Sequence, residues 1–351
     1  MHKCPRTFAS LFSLAQLIFW TGFFFPANGY SQERDTTYIE PYTKLITGRV
    51  FLSEKYTIFG LEGPKQIQYR PNTRLSLGLG ATYRALTLSI GYGFAFLNKD
   101  GGRGKTKYLD LQTHLYGAKW RYDLFGQFYK GYYIYPKGFA AAVPGTYYIR
   151  PDLQVNEIGV SAFHIYNNKR FSYRAAFLQS EWQKKSAGSF LLGGSFVYGS
   201  TKADSAFIPA RESANYQQKD IRRLRYFELG PGAGYVYTFV WKQHWYITAS
   251  ATVSLDLGFV KETAVSDVKH SINLSPNFMF RSGIGYNSST WNYNFAWVSN
   301  RTSVDGQFNN GGYNINTGNY RFTIAKRFTP GKKLRKMLSV VDNILDKALK
   351  K

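Results

Sequence analysis

The chain is predicted to be all-β: an antiparallel transmembrane β-barrel of about 12 strands, with 14 as the alternative, followed by a C-terminal amphipathic helix. Three observations carry this. Long stretches alternate strictly between an apolar, aromatic face and a face of Gly, Ser, Thr and Asn. Aromatic residues make up 18% of the chain, yet mean hydropathy is only −0.33, as alternating strands give and membrane helices do not. After Glu33 no apolar run reaches the roughly 20 residues that a helical span needs.

Thr73 to Phe96 shows the pattern most plainly. Leu75, Leu77, Leu79, Ala81 and Tyr83 oppose Arg74, Ser76, Gly78, Gly80 and Thr82; after Arg84-Ala85, Leu86, Leu88, Ile90, Tyr92, Phe94 and Phe96 resume it. Successive strand residues point to opposite faces, so this is a hairpin with a minimal turn. An apolar face set against a small polar one suits a wall with lipid outside and water inside. A soluble sandwich would carry more Lys and Glu on its exposed faces.

The leader comes first. Lys3 and Arg6, the apolar run Phe8 to Phe25 and the small residues around Ala27 to Ser31 describe a secretory signal peptide over 1–31. A short periplasmic segment, 32–43, precedes the barrel, 44–328. The only cysteine, Cys4, lies in the leader, so the mature chain has no thiol for disulfides or thiolate metal sites. The formal charge of +24 belongs almost wholly to the mature chain. It favours anionic partners, and export points away from nucleic acid toward anionic solutes and lipid phosphates, lipopolysaccharide included. The expected location is the bacterial outer membrane.

Thirteen stretches qualify as strands: 44–59, 73–84, 86–97, 106–116, 121–134, 152–166, 171–181, 189–201, 223–240, 245–260, 271–286, 290–302 and 313–328. Single-chain bacterial barrels have an even number, with short periplasmic turns and long external loops. Short turns at Arg84-Ala85, Gly117-Ala118, Asn167 to Lys169, Lys242 to His244 and Asn287 to Ser289 fall out of phase between Asn167 and Ala203. The miscount therefore lies there, and one barrel strand in that stretch gives twelve. Long connections near 60–72, 98–105, 135–150, 203–221, 261–270 and 303–312 are expected outside.

Several phrases resemble an uncharacterised family of exported Bacteroidetes proteins known as a domain of unknown function. They include Tyr69-Arg70-Pro71-Asn72, Gly104 to Asp110, Trp120 to Asp123, Gln127 to Tyr133, Ser186 to Phe190 and Gly230-Pro231-Gly232-Ala233-Gly234. The resemblance spans roughly Thr36 to Phe328. It implies a bacterial envelope protein and supplies neither substrate nor catalytic residue.

Chemistry is sought on the inward faces. Asp110, Gln112 and His114 share one polar face, and Arg121 and Asp123 sit on the next strand, across the turn from His114. This patch reads either as a solute-contacting constriction or as an ion-pair lattice filling a narrow barrel. Asp256 and Arg281 face inward on strands that are neighbours if pairing is sequential, and read, like that patch, either as solute-contacting groups or as a structural ion pair. His164 is a weak catalytic candidate, standing near the interface among belt aromatics; His114, His244 and His270 complete the mature set. Neither His-Glu-x-x-His nor a close His pair occurs, so no metal and no cofactor is expected. Gly230, Gly232 and Gly234 lie inside a strand pattern with no helix after it, where glycine allows sharp curvature or close strand approach rather than phosphate binding.

Beyond Pro330-Gly331 the period changes. Leu334, Met337, Leu338, Val341, Ile344, Leu345, Ala348 and Leu349 recur at three and four among Lys332, Lys333, Arg335, Lys336, Lys347, Lys350 and Lys351, a basic amphipathic helix over 329–351. The leading functional expectation is a narrow pore or solute-binding barrel preferring anions. A lipid-acting enzyme and a closed structural or docking barrel are the alternatives.

Overall fold

Burial in this protein is inside out. Along 245–260 every second residue is exposed, and the exposed ones are apolar: Ile247 at 52% and Leu255 at 49%, against 0% for Thr248 and Asp256. Water-driven folding hides apolar surface, so this wall has its apolar side toward another apolar medium and its polar side toward a shared interior. The computed structural model describes residues 34–339 except 43, 85, 99–100, 309–311 and 337. The leader lies outside the described residues. Of the C-terminal helix, 332–336 and 338–339 are described and helical, and the rest of that expectation lies outside them.

Fifteen strands are described in chain order: β1 Ile39–Pro41, β2 Ile46–Leu61, β3 Ile67–Arg70, β4 Ser76–Tyr83, β5 Leu86–Tyr92, β6 Lys107–Tyr116, β7 Trp120–Tyr135, β8 Ile149–Ile165, β9 Glu181–Gln183, β10 Ala187–Lys202, β11 Ile221–Trp241, β12 Trp245–Ala264, β13 Val268–Asn287, β14 Trp291–Asp305 and β15 Gly312–Phe328. Pairing is antiparallel throughout. From β7 the sheet runs through β8, β10, β11, β12, β13, β14 and β15 to β2, then through β3 back to β7, a closed ring of ten. Three strands stand outside it: β4 hangs on the lower part of β2 and carries β5, and β6 hangs on β7.

The closed ring therefore has neither twelve nor fourteen strands. Twelve of the thirteen predicted stretches are strands, and the thirteenth, 171–181, is the one where the phase failed: it holds a π-helical turn, Arg174–Leu178, and leads into the three-residue β9. Its alternating Phe171, Tyr173 and Ala175 mimic a strand, but Ser172 and Ala176, of the opposite parity, are buried as well, so the segment has no outer face. The four-residue β3 was too short to show a period. It matters because it closes the ring between β2 and β7 at the long-loop end, leaving β4, β5 and β6 to the short-turn end. Gly131 is where β7 changes partner: below it β7 pairs with β6, above it with β3, and the β7–β8 register shifts there. Its φ of 92° is one few other residues adopt, and a Cβ would lie 2.3 Å from the Lys105 carbonyl oxygen. The connection predicted to be long near 261–270 is a three-residue turn, because β12 and β13 run to about twice the length needed to cross a bilayer.

Those long strands explain a change of polarity along the axis. The row Tyr198–Phe227–Phe259–Ile272 faces outward, and one step toward the long loops the outward row is Ser200–Arg225–Lys261–His270. Lys107, Lys130, Lys202 and Arg223 continue this collar on β6, β7, β10 and β11, all exposed. Inside, the order reverses. Above the collar the lumen is packed with Phe59, Tyr69, Tyr132, Leu153, Leu224 and Tyr313, together with Phe207, Ile208 and Tyr216 from the loop after β10. Below it the lumen is lined by polar side chains, down to a second apolar cluster near the short turns that includes Tyr116, Phe163, Phe171, Tyr173, Leu191 and Val236.

The short-turn end is covered by β1 and β9, which form their own two-stranded sheet. Trp182 Nε1 donates to the Gln243 carbonyl at 2.7 Å, and Arg327 donates to the carbonyls of Gln179 and Ser288. Residues 39–41, expected to be a plain periplasmic lead-in, are thus part of the cover.

Candidate functional site

The predicted polar patch exists, and Asp123 is its centre. The β6–β7 register sets His114 opposite Asp123, and the β7–β8 register sets Ser161 on its other side. His114 Nδ1 lies 2.8 Å from Asp123 Oδ1, and Ser161 Oγ donates to Oδ2 at 3.1 Å. Arg281 crosses the lumen from β13 to donate to Oδ2 at 2.6 Å, and Arg121 Nε stands 3.3 Å away. Arg281 also donates to Tyr116 Oη at 2.7 Å, and Arg121 lies over the Phe163 ring at 4.6 Å. A carboxylate with this many donors has a filled coordination shell, which ties the strands that supply them together. On the same face Asp110 accepts from Lys55 at 2.9 Å, from Tyr129 at 2.5 Å and from Gln112 at 3.3 Å.

Asp256 is not part of this cluster. Its strand does neighbour that of Arg281, as expected, but Asp256 pairs with Ser275 while Arg281 pairs with Ser250, so six residues of strand separate them. The expected Asp256–Arg281 ion pair is replaced by Asp123–Arg281. Asp256 instead accepts from Asn277 at 2.7 Å and Ser195 at 3.2 Å, and the same Asn277 amide donates to Glu228 at 2.5 Å. Glu157, Glu228 and Glu262 are buried acids that the sequence reading missed; Tyr226 donates to Glu157 at 2.8 Å and Tyr313 to Glu262 at 2.6 Å. Strand parity could have found them, since Glu262 shares the face of Asp256. A cavity of about 20 Å³ beside Ser161, Ser195 and Asn277 is room for about one water.

His164 is on the outer wall. Its ring packs edge-on against Trp120 at 5.1 Å and Tyr166 at 4.8 Å, in an aromatic girdle. His114 is inside, and its second nitrogen is buried without a hydrogen-bond partner. Ser161 donates to the same carboxylate as His114, so the three do not form a relay to a hydroxyl nucleophile. Among the described residues no group of three or more His, Cys, Asp or Glu is placed to hold a metal ion.

Arg49, Arg321 and Arg327 were not singled out as a group by the sequence. All three point inward at the short-turn half, and among the described residues none has a carboxylate within ion-pair distance. Arg49 bonds to the Thr82 hydroxyl and the Leu178 carbonyl, and Arg327 to backbone carbonyls and Asn287. Arg321 lies over the Phe51 ring at 4.4 Å, with its Nε buried and unbonded. The lumen is thus acidic at mid-height and basic near the short turns.

These features define an antiparallel β-barrel with an apolar outer belt and a filled, charge-segregated lumen. The chain belongs to the family described as a domain of unknown function (DUF4421), which matches residues 33–328. We found no curated protein similar to it in sequence. Among solved structures it is similar to the toluene transporter TodX of Pseudomonas putida, at 7% identity and a TM-score of 0.22 over 82% of this chain and 92% of that one. It is also similar to the outer-membrane protein OmpT of Vibrio cholerae, at 10% identity and a TM-score of 0.25 over 79% and 98%. At such TM-scores neither strand number nor activity carries over.

Proposed function

We propose that the protein is a bacterial outer-membrane barrel that is closed along its axis and serves as a lipid-anchored binding or docking element. The observation that carries this is the opposite switching of the two faces: the outside passes from apolar belt to basic collar where the inside passes from polar lining to apolar core. A wall built this way sits in a bilayer up to the Phe227–Phe259–Ile272 row and stands in water beyond it, where its own core fills the bore. The leader over 1–31 delivers it through the secretory pathway, and the long-loop end faces outward. The collar then lies at the level of lipid phosphates, including those of lipopolysaccharide, and accounts for part of the large positive charge.

Anion preference belongs in this reading to a bound ligand, held by the arginines of the short-turn half, and not to a conducted stream. The experiment is planar-bilayer recording of the refolded protein. No steady conductance is expected, and a stable ohmic conductance would overturn the closed barrel. The lipid-acting enzyme has no comparable support, because His164 stands on the outer wall without a polar partner among the described residues.

A further inference from the structure

The wall has a seam. β5 and β6 are consecutive and antiparallel, yet among the described residues they do not pair with each other: the ladder partner of β5 is β4, and that of β6 is β7. Exposure confirms the opening. Elsewhere inward residues are buried, as on β12, but on β5 the inward Thr87, Ser89 and Gly91 are exposed along with the outward Leu88, Ile90 and Tyr92. The seam lies between apolar rims, Leu88 at 64% and Ile90 at 71% exposed on one side, Leu109 and Leu111 on the other. Its upper end is roofed. The Asn98 side chain bonds the backbone of Leu75 through both its oxygen and its amide, Asn72 donates to Gly104 O at 2.7 Å, and the Thr106 hydroxyl to Gly131 O at 2.6 Å. Lys55 and Asp110 bridge β2 to β6 behind the hairpin at 2.9 Å.

Behind the seam stand the uncompensated arginines. Arg49 and Arg321 flank Phe51, which lies against Gly78 and Gly91, where a Cβ would meet its ring at 2.2 and 3.5 Å. Each keeps a buried, unbonded Nε–H. A largely buried guanidinium without an acid is costly unless an anion joins it. The short-turn mouth below carries β1, β9 and the Arg174–Leu178 turn, so among the described residues the unpaired seam offers a sideways route from outside, through apolar rims.

We propose that this arginine pair binds an anionic amphiphile, its carboxylate or phosphate head on Arg49 and Arg321 and its hydrocarbon chain leaving the barrel between β5 and β6 into the bilayer. The proposal rests on the closed-barrel reading for its membrane setting. Guanidinium geometry suits either head group as a bidentate acceptor, and the rims suit only a hydrocarbon chain.

The test is native mass spectrometry and fluorescence displacement on the full-length mature protein in detergent, using a long-chain fatty acid, a lysophosphatidic acid and inorganic phosphate. At least one amphiphile should bind at one per chain, with inorganic phosphate failing to compete. Arg321→Gln should weaken binding roughly tenfold or more, the equivalent of about 1.4 kcal/mol, and Arg321→Lys should recover part of it. Folding of each variant is read independently from its shifted gel mobility without heating. Equal competition by inorganic phosphate overturns the amphiphile, and unchanged affinity in a folded Arg321→Gln overturns the site. Lateral access is read from the variant Leu88→Cys with Leu111→Cys, bridged by a bifunctional maleimide; the mature chain has no other thiol. Bridging should slow amphiphile exchange at least tenfold, and unchanged exchange overturns the seam as the route. Conductance of the same preparations reports on the closed barrel separately.

Discussion

Arg281 on β13 and Asp123 on β7 meet across the lumen at 2.6 Å, and both are almost wholly buried. The two residues are 158 apart in sequence, on strands that do not pair, so this contact braces the ring across its diameter. A sheet ladder cannot supply such a bond.

Removing one partner of such a pair leaves an uncompensated buried charge, which costs about 3–5 kcal/mol. Arg281→Ala is therefore expected to be strongly destabilising, measured as the urea midpoint of refolding into detergent. Arg281→Met with Arg121→Met and Asp123→Leu removes all three buried charges of the cluster and should recover much of the loss. If the triple variant is no more stable than Arg281→Ala alone, the ion cluster is not what braces the lumen.

Phe207 plugs the long-loop end. It is fully buried, its ring packs edge-on against Phe59 at 5.2 Å, and its carbonyl accepts from the Tyr69 hydroxyl. Phe207→Ala should cost about 3–5 kcal/mol. It should also make the loop after β10 more easily cut by protease, because that loop is held down largely by Phe207, Ile208 and Tyr216. Wild-type resistance in the variant would show that the loop is held from elsewhere.

Asn277 is the shared donor of the acidic layer, giving its amide to both Glu228 and Asp256 while its oxygen accepts the Ser303 backbone N–H at 2.7 Å. Asn277→Ala should lower stability by about 1–3 kcal/mol, the cost of leaving buried acceptors unpaired. Asn277→Asp adds a third carboxylate and should be worse. Equal urea midpoints for the two variants would mean that charge does not matter at this layer.

Much of this was legible in the chain because a strand has a rigid period. The inward placement of Asp110, Gln112, His114, Arg121 and Asp123 followed from counting in twos, and the structure places all five on the predicted face. Gly230 reads from the sequence as a point of sharp curvature or of close strand approach, and the second holds: a Cβ there would stand 2.1 Å from the Leu255 carbonyl oxygen. What periodicity cannot carry is pairing between distant strands. The Asp123–Arg281 contact depends on the ring's diameter, and the swap of Asp256 for Asp123 depends on a register offset of six residues. Ring closure through the four-residue β3 depends on a bulge at Gly131, a local event with no repeat to announce it. The segment 171–181 misled because residues plugging a lumen can alternate by chance.

The basic collar gives the last prediction. Ser200, Arg225, Lys261 and His270 form one outward row directly above Tyr198, Phe227, Phe259 and Ile272. In the proposed setting that row meets lipid phosphates, where each Lys or Arg contributes about 1 kcal/mol of attraction to an anionic surface. Arg225→Glu with Lys261→Glu replaces two attractions by two repulsions. The double variant should lose most of the thermal stabilisation that added lipopolysaccharide gives the wild type, and the gap between the two proteins should shrink in high salt as screening tightens to about 3 Å at 1 M. Both positions point outward on long strands whose opposite faces carry the packing, so stability without lipid should change little. A control with dephosphorylated lipid A should stabilise wild type and variant alike. If the double variant responds to phosphorylated lipid as the wild type does, the collar is an aqueous solubilising surface, and the bilayer boundary lies elsewhere than at the Phe227–Phe259 row.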